Sequence, residues 1–246
     1  MMSATNRHHT TRTAGGAPAA RDVADFYERL VFPSRSSHPE YAALVPPVAG
    51  QVVGDFGCGA SLFHEALRGY SPTPTFFDVS MNALRSIEYG NRVRGDLFAL
   101  PFRTGAFDRI FCIGVVHHLP EPQAVLQEIG RVLRTGGVLV LGVYAPGTLP
   151  ALLRRLHDAS RWRPWRRAVF GSTRALIGLR YRARGNPLAA ADVDLRTRDF
   201  LQVPFVRYVE PDFYAGLATR AGFTLQARQR IAAMNVLELR RAEHGA

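Results

Sequence analysis

Between Gln51 and Tyr144 the chain alternates short apolar runs with stretches patterned for helix, and this alternation constrains the fold more than any other feature. Strands separated by helical crossovers pair in parallel, since a crossover returns the chain to the same end of the sheet. Strands are expected at about 51–55, 74–78, 92–95, 108–113 and 137–143. Helices are expected between them near 61–69, 81–88 and 121–134, the last stopped at Thr135-Gly136-Gly137. Beyond Pro211 the pattern gives a helix at about 212–221, ended by Gly222. Two closely spaced strands follow at about 223–230 and 233–240, an antiparallel hairpin at the sheet edge. The expected class is α/β, a doubly wound sheet.

The segments flanking this core differ in character. Residues 1–20 are polar and small, with no acid before Asp22, and read as a disordered tail rather than an organellar transit peptide. Residues 21–50 read as a helical cap, with a helix over about 22–31 ended by Phe32-Pro33 and a linker marked by Pro46-Pro47. The core then occupies 51–145, an insertion 146–208, and the completing helix and strands 209–246. The two cysteines, Cys58 and Cys112, have no metal-ligand spacing, so no metal site is expected and a reducing, cytoplasmic setting is. No apolar run is long enough to span a bilayer.

All 31 basic residues are arginine, and the net charge is +11. Residues 151–185 hold ten of these arginines against one acid, Asp158, so nearly all of the excess charge is local. Trp162 and Trp165, the only tryptophans, lie in the same stretch.

Chemistry concentrates at the ends of the first three strands. The first runs into Asp55-Phe56-Gly57-Cys58-Gly59-Ala60-Ser61, a glycine-rich turn that lets the backbone approach a ligand closely. The second ends at Asp78, 19 residues after Gly59, where a carboxylate can accept hydrogen bonds from a ribose diol. The competing structural role for Asp78 is to cap the next helix. The third ends in Gly95-Asp96-Leu97, an acid able to accept from an adenine amine beside an apolar wall, or simply to cap a turn.

Together these pieces resemble the class I S-adenosylmethionine-dependent methyltransferases, in the small-molecule subgroup that includes the quinone methyltransferases. The resemblance is carried by Val53-Gly54-Asp55-Phe56-Gly57-Cys58-Gly59, by Gly95-Asp96 with Leu100-Pro101-Phe102, by Ala106-Phe107-Asp108-Arg109-Ile110 with Val116-His117-His118-Leu119, and by Glu128 through Gly137. It implies a Rossmann-like seven-stranded sheet of order 3-2-1-4-5-7-6 and S-adenosylmethionine as cofactor. The implied cofactor contacts are Asp55, Gly57, Cys58, Gly59, Asp78, Val79, Asp96, Leu97 and Cys112, with Asp55 facing the ligand's amino group. One departure stands out: Ser61 replaces the third loop glycine and is expected to cap the following helix. That departure weakens the alternative cofactor, NAD, whose pyrophosphate needs the full glycine fingerprint.

A methyl sulfonium is already electrophilic, so the protein must align an acceptor and remove its proton where required. His118, and after it His117, are the candidate bases. Tyr27, Tyr144 and Tyr208 are the candidate walls of the acceptor site. The insertion resembles the helical substrate lids of small-molecule methyltransferases, which makes a small organic acceptor the expected partner. Two other readings of its Arg/Trp stretch are an RNA surface, giving an RNA methyltransferase, and a peripheral membrane contact. A non-catalytic regulatory protein that binds S-adenosylmethionine is the remaining alternative.

Overall fold

The computed structural model describes residues 9–10, 20–30, 39–45, 50–70, 72–159, 161–183, 185 and 188–243. Its sheet contains β1 (Val53–Phe56), β2 (Thr75–Asp78), β3 (Asn91–Arg94), β4 (Phe107–Ile113), β5 (Leu133–Tyr144), β6 (Phe223–Ile231) and β7 (Met234–Arg241). Their order is β3-β2-β1-β4-β5-β7-β6, the topology the resemblance implies. The first five are mutually parallel, and β7 runs antiparallel to both β5 and β6. Every expected strand forms, with ends shifted by a few residues.

Alternation along the central strands sends side chains into two separate cores. Phe56, Ile110, Cys112, Leu139 and Leu141 pack into one layer beneath α3 (Pro122–Val132) and α7 (Pro211–Arg220). Val53, Phe111, Ile113, Val138 and Val140 pack into the other, with Phe63, Leu67, Leu84 and Ile87. Both of these helices begin with proline in the first turn, where its missing N–H costs nothing. Gly222 at φ 81° supplies the left-handed residue after α7, as the sequence suggests. The helix α3 stops at Val132 rather than at the glycines, because β5 begins at once and Gly136 turns within it at φ 73°.

One expected helix does not form. Residues 62–69 make a succession of turns instead of a helix. Ser61 leaves the loop at φ 56°, and its Oγ accepts from the Phe63 amide at 3.1 Å. The Tyr89 hydroxyl donates to the His64 carbonyl, an oxygen that a regular helix would use internally. Only the Phe63-to-Leu67 pair keeps the four-residue spacing among the described bonds of this stretch.

The flanking parts become a roof over the strand ends. Helix α1 (Ala20–Arg29) packs against α2 (Met81–Arg85), and the insertion folds as α4 (Leu149–Asp158), α5 (Arg163–Ala183) and α6 (Ala190–Gln202). The first helix thus begins at Ala20, and its expected stop at Phe32-Pro33 lies outside the described residues, as does the Pro46-Pro47 linker. Most of the expected tail also lies outside them. His9 and Thr10 form a two-residue antiparallel ladder with Tyr208 and Arg207.

Candidate functional site

The C-terminal ends of β1, β2 and β4 sit level, since Phe56 lies across from Phe77 and Asp55 across from Phe111. The loop after β1 therefore opens directly beside the end of β2. The amides of Gly57 and Cys58 both donate to the Phe77 carbonyl, at 2.7 and 3.2 Å. Gly57 has φ 68°, and a Cβ there would come within 2.3 Å of Val115 Cγ2. Gly59 differs, with φ 53° and nothing within 4 Å of a Cβ built on it. The first glycine is required by the fold; the second faces open space.

Asp78 locks this loop in place. One carboxylate oxygen accepts from the Gly59 amide at 2.8 Å and the other from the Ser80 amide at 2.8 Å. Helix α2 is capped by Ser80, whose Oγ accepts from Ala83 N, so capping is not the task of Asp78. Burial raises the Asp78 carboxyl above its usual range, opposed by the backbone amides it accepts from. Each oxygen retains a second lone pair for a ligand hydroxyl.

The Asp96 loop is held from a distance. Glu128 accepts from the Leu100 amide at 3.0 Å, and Arg131 donates to the carbonyls of Leu100 and Phe102 at 2.9 and 2.8 Å. These two side chains, joined by a bidentate ion pair on one face of α3, clamp the loop between β3 and β4. Asp96 stays exposed, its Oδ1 capping the Phe98 amide at 3.0 Å, with Leu97 buried beside it.

A cavity of about 560 Å³ runs across these strand ends, within the range that holds a small organic ligand. Of the expected cofactor residues, Gly57, Cys58, Gly59, Asp78, Val79, Asp96 and Leu97 line it. Asp55 and Cys112 do not. Asp55 is buried and accepts the Ser61 hydroxyl at 2.6 Å, which ties it to the loop. Cys112 points into the α3/α7 core because its strand position has the wrong parity. Ser61 occupies the left-handed conformation that a glycine would supply, and its hydroxyl bonds offset part of that strain. Ser61→Ala should leave a buried carboxyl without its donor and cost about 1–3 kcal/mol, measurable by urea unfolding.

Burial pushes the Asp55 carboxyl up to about 7, with the Ser61 hydroxyl opposing and Asp78 adding to the rise. An acid whose folded-state value is raised holds a proton that the unfolded chain releases. Its contribution to stability is fully present at acid pH and falls as pH climbs from about 4 to 7. Asp55→Asn should remove this slope. The difference in urea midpoint between the two proteins should swing toward the variant between pH 5 and pH 8.

At the other end of the cavity stand Tyr27, His118 and Tyr144, together with Arg196 and Asp199 of α6. Asp199 is buried and accepts the hydroxyls of Tyr27 at 2.8 Å and Tyr144 at 3.0 Å. His118 Nδ1 lies 3.0 Å from the Phe205 carbonyl, which can only accept, so Nε2 is left as the basic nitrogen. Burial lowers the His118 value, and the nearby Asp199 charge pulls it partly back. His117 departs from expectation: it is buried with neither nitrogen partnered, packed between His118 and Tyr144, and does not reach the cavity. Tyr208 likewise lies behind the wall, stacked on Tyr144 with centroids 5.8 Å apart and its hydroxyl unpartnered. Asp199 and Arg196 carried no signal in the sequence beyond their charge, and Glu128 and Arg131 were marked only as part of the segment leading into β5. Among the described residues no group of side chains could hold a metal ion.

Comparison with known proteins agrees with this geometry. Residues 54–141 match the family model described as a methyltransferase domain. A tRNA U34 carboxymethyltransferase of Campylobacter concisus is 32% identical over 103 residues, 38% of this chain and 36% of that protein. A ubiquinone biosynthesis O-methyltransferase of Xanthomonas oryzae pv. oryzae is 27% identical over 111 residues, 42% of this chain and 46% of that protein. The chain thus spans less than half the length of these two relatives. Among solved structures, a Burkholderia thailandensis 1,6-didemethyltoxoflavin-N1-methyltransferase, bound to its named substrate and S-adenosylhomocysteine, superposes with TM-score 0.59 at 17% identity, covering 96% of both chains. With the strand order and the glycine loop on the same footing, the domain at residues 54–141 belongs to the class I S-adenosylmethionine-dependent methyltransferases.

Proposed function

We propose that the protein transfers a methyl group from S-adenosylmethionine to a small organic acceptor of specialised or quinone-like metabolism. The observation that carries this reading is a single cavity with two chemically different ends. One end has the glycine loop, Asp78 and Asp96; the other has His118 and the Asp199 pair of tyrosines under a helical roof.

The chain's residues fit the cofactor at the first end. Open space beside Gly59 admits a ligand against the backbone, Asp78 has lone pairs to spare for a ribose diol, and Asp96 with Leu97 suits an adenine edge. When bound, the cofactor supplies an electrophilic methyl on its sulfonium. At the second end His118 Nε2 accepts the proton released by an O–H or N–H acceptor. Asp199 stabilises the imidazolium so formed, and Tyr27 and Tyr144 hold Asp199 in place. The roof of α1 and α6 excludes water from the transfer.

An RNA acceptor is the second reading, favoured by the arginine-rich insertion and by the name of the Campylobacter relative. Labelled methyl from S-adenosylmethionine, incubated with the protein and host extract, separates the two. Label among small molecules is the expected result; label confined to RNA would replace the proposed acceptor.

A further inference from the structure

The outer face of the insertion is unlike the rest of the surface. Eight large hydrophobic residues are exposed among the described residues, and seven of them lie between Leu149 and Leu179; Leu225 is the other. Leu149, Leu152 and Leu156 share one face of α4, at helical spacing and pointing away from the buried Ala151, Arg154 and His157. On α5, Trp165, Leu176 and Leu179 form a second exposed row, running beside the buried stripe of Val169, Thr173 and Ile177. Trp165 Nε1 donates to the Leu156 carbonyl at 2.7 Å, which joins the two rows. Trp162, 66% exposed, lies between α4 and α5 in the chain, and Leu152 at 53% and Leu179 at 65% are the most exposed members of the two rows. Patches of this kind mark contact surfaces.

The same segment holds ten arginines against one acid. Two of them are engaged in ion pairs within the fold, Arg154 with Asp158 and Arg174 with Asp194. Arg155 flanks the α4 row and Arg180 and Arg182 the α5 row, while Arg161, Arg163 and Arg167 are exposed elsewhere on the same unit. We propose that this face docks on an anionic lipid bilayer, with the leucines and tryptophans entering the interface and the arginines meeting lipid phosphates. The charge selects this occupant. A second copy would bring ten arginines against ten, and a nucleic-acid strand has phosphates but no use for a row of exposed leucines. No helix among the described residues is long and apolar enough to cross a membrane, so the contact lies in the interface plane. Because the insertion also lines the cavity through Arg196 and Asp199, the docked face and the site share one structural unit. The docking does not depend on which acceptor is methylated.

The two tryptophans, both on this face, give a direct readout. Full-length protein is titrated with vesicles of phosphatidylcholine alone and of phosphatidylcholine mixed with phosphatidylglycerol, followed by tryptophan emission and by sedimentation. The expected result is a blue shift and co-sedimentation with the anionic vesicles only, weakened by added salt. The exposed pair Leu152→Glu and Leu179→Glu should lower vesicle affinity tenfold or more, while S-adenosylhomocysteine binding and melting temperature stay unchanged. Three results would overturn the proposal: no emission shift with anionic vesicles, equal binding by the double variant, or wild-type protein that is a dimer in light scattering and becomes monomeric in that variant. Tight binding of RNA without any response to vesicles would also overturn it, in favour of a nucleic-acid surface.

Discussion

Asp78→Ala is expected to weaken S-adenosylhomocysteine binding by on the order of 100-fold or more, since two hydroxyl hydrogen bonds to a charged acceptor contribute about 1.5–3 kcal/mol each. The effect has two sources. The variant loses the carboxylate offered to a ribose diol, and it also frees the Gly59 and Ser80 amides, which Asp78 now holds at 2.8 Å each. The second source loosens the loop itself, so the loss should exceed what the direct contacts account for. The helix that follows keeps its Ser80 cap, and the sheet keeps its pairing, so circular dichroism should show an intact fold. Calorimetric titration of variant and wild-type protein measures the difference. Unchanged affinity would remove Asp78 from the cofactor site.

His118→Ala should lower kcat by about 10²–10⁴-fold while cofactor affinity changes little, the range expected for removing a general base. Asp199→Asn separates positioning from base chemistry. The Asp199 charge raises the His118 value, so its loss lets His118 lose its proton at lower pH. The acid limb of the kcat profile should therefore move to lower pH, while the plateau rate falls because the imidazolium is no longer stabilised. A residue that merely held the tyrosines would lower the plateau without moving the limb.

The contrast between what the sequence shows and what it hides follows contact range. The existence of the strands and the edge hairpin follows from alternating apolar and helical patterns, which are local, while their order was implied by the resemblance. Gly57, Gly59, Asp78 and Asp96 are legible for the same reason, each sitting at a strand end marked by its neighbours. Cys112 and His117 were misplaced by parity and depth: adjacent residues on a strand or tight turn face opposite ways, and a pattern does not say which one reaches the cavity. The helix expected at 61–69 is undone by Ser61 in the left-handed region and by a hydroxyl from Tyr89, 25 positions beyond the His64 carbonyl it meets. Asp199 is the farthest from view. It meets Tyr27 across 172 residues, and nothing in Asp199's own neighbourhood sets it apart from the charged surface of a helix. Arg131 belongs to a segment the resemblance marks, but its clamp is hidden because the carbonyls it meets lie 29 and 31 residues away.

The central claim is that the cavity at the ends of β1, β2 and β3 holds S-adenosylmethionine. Equilibrium dialysis of the wild-type protein with labelled S-adenosylhomocysteine, in the presence and absence of excess NAD, tests it most directly. The account predicts saturable binding of one ligand per chain that NAD does not displace. Absence of binding, or displacement by NAD, would contradict it.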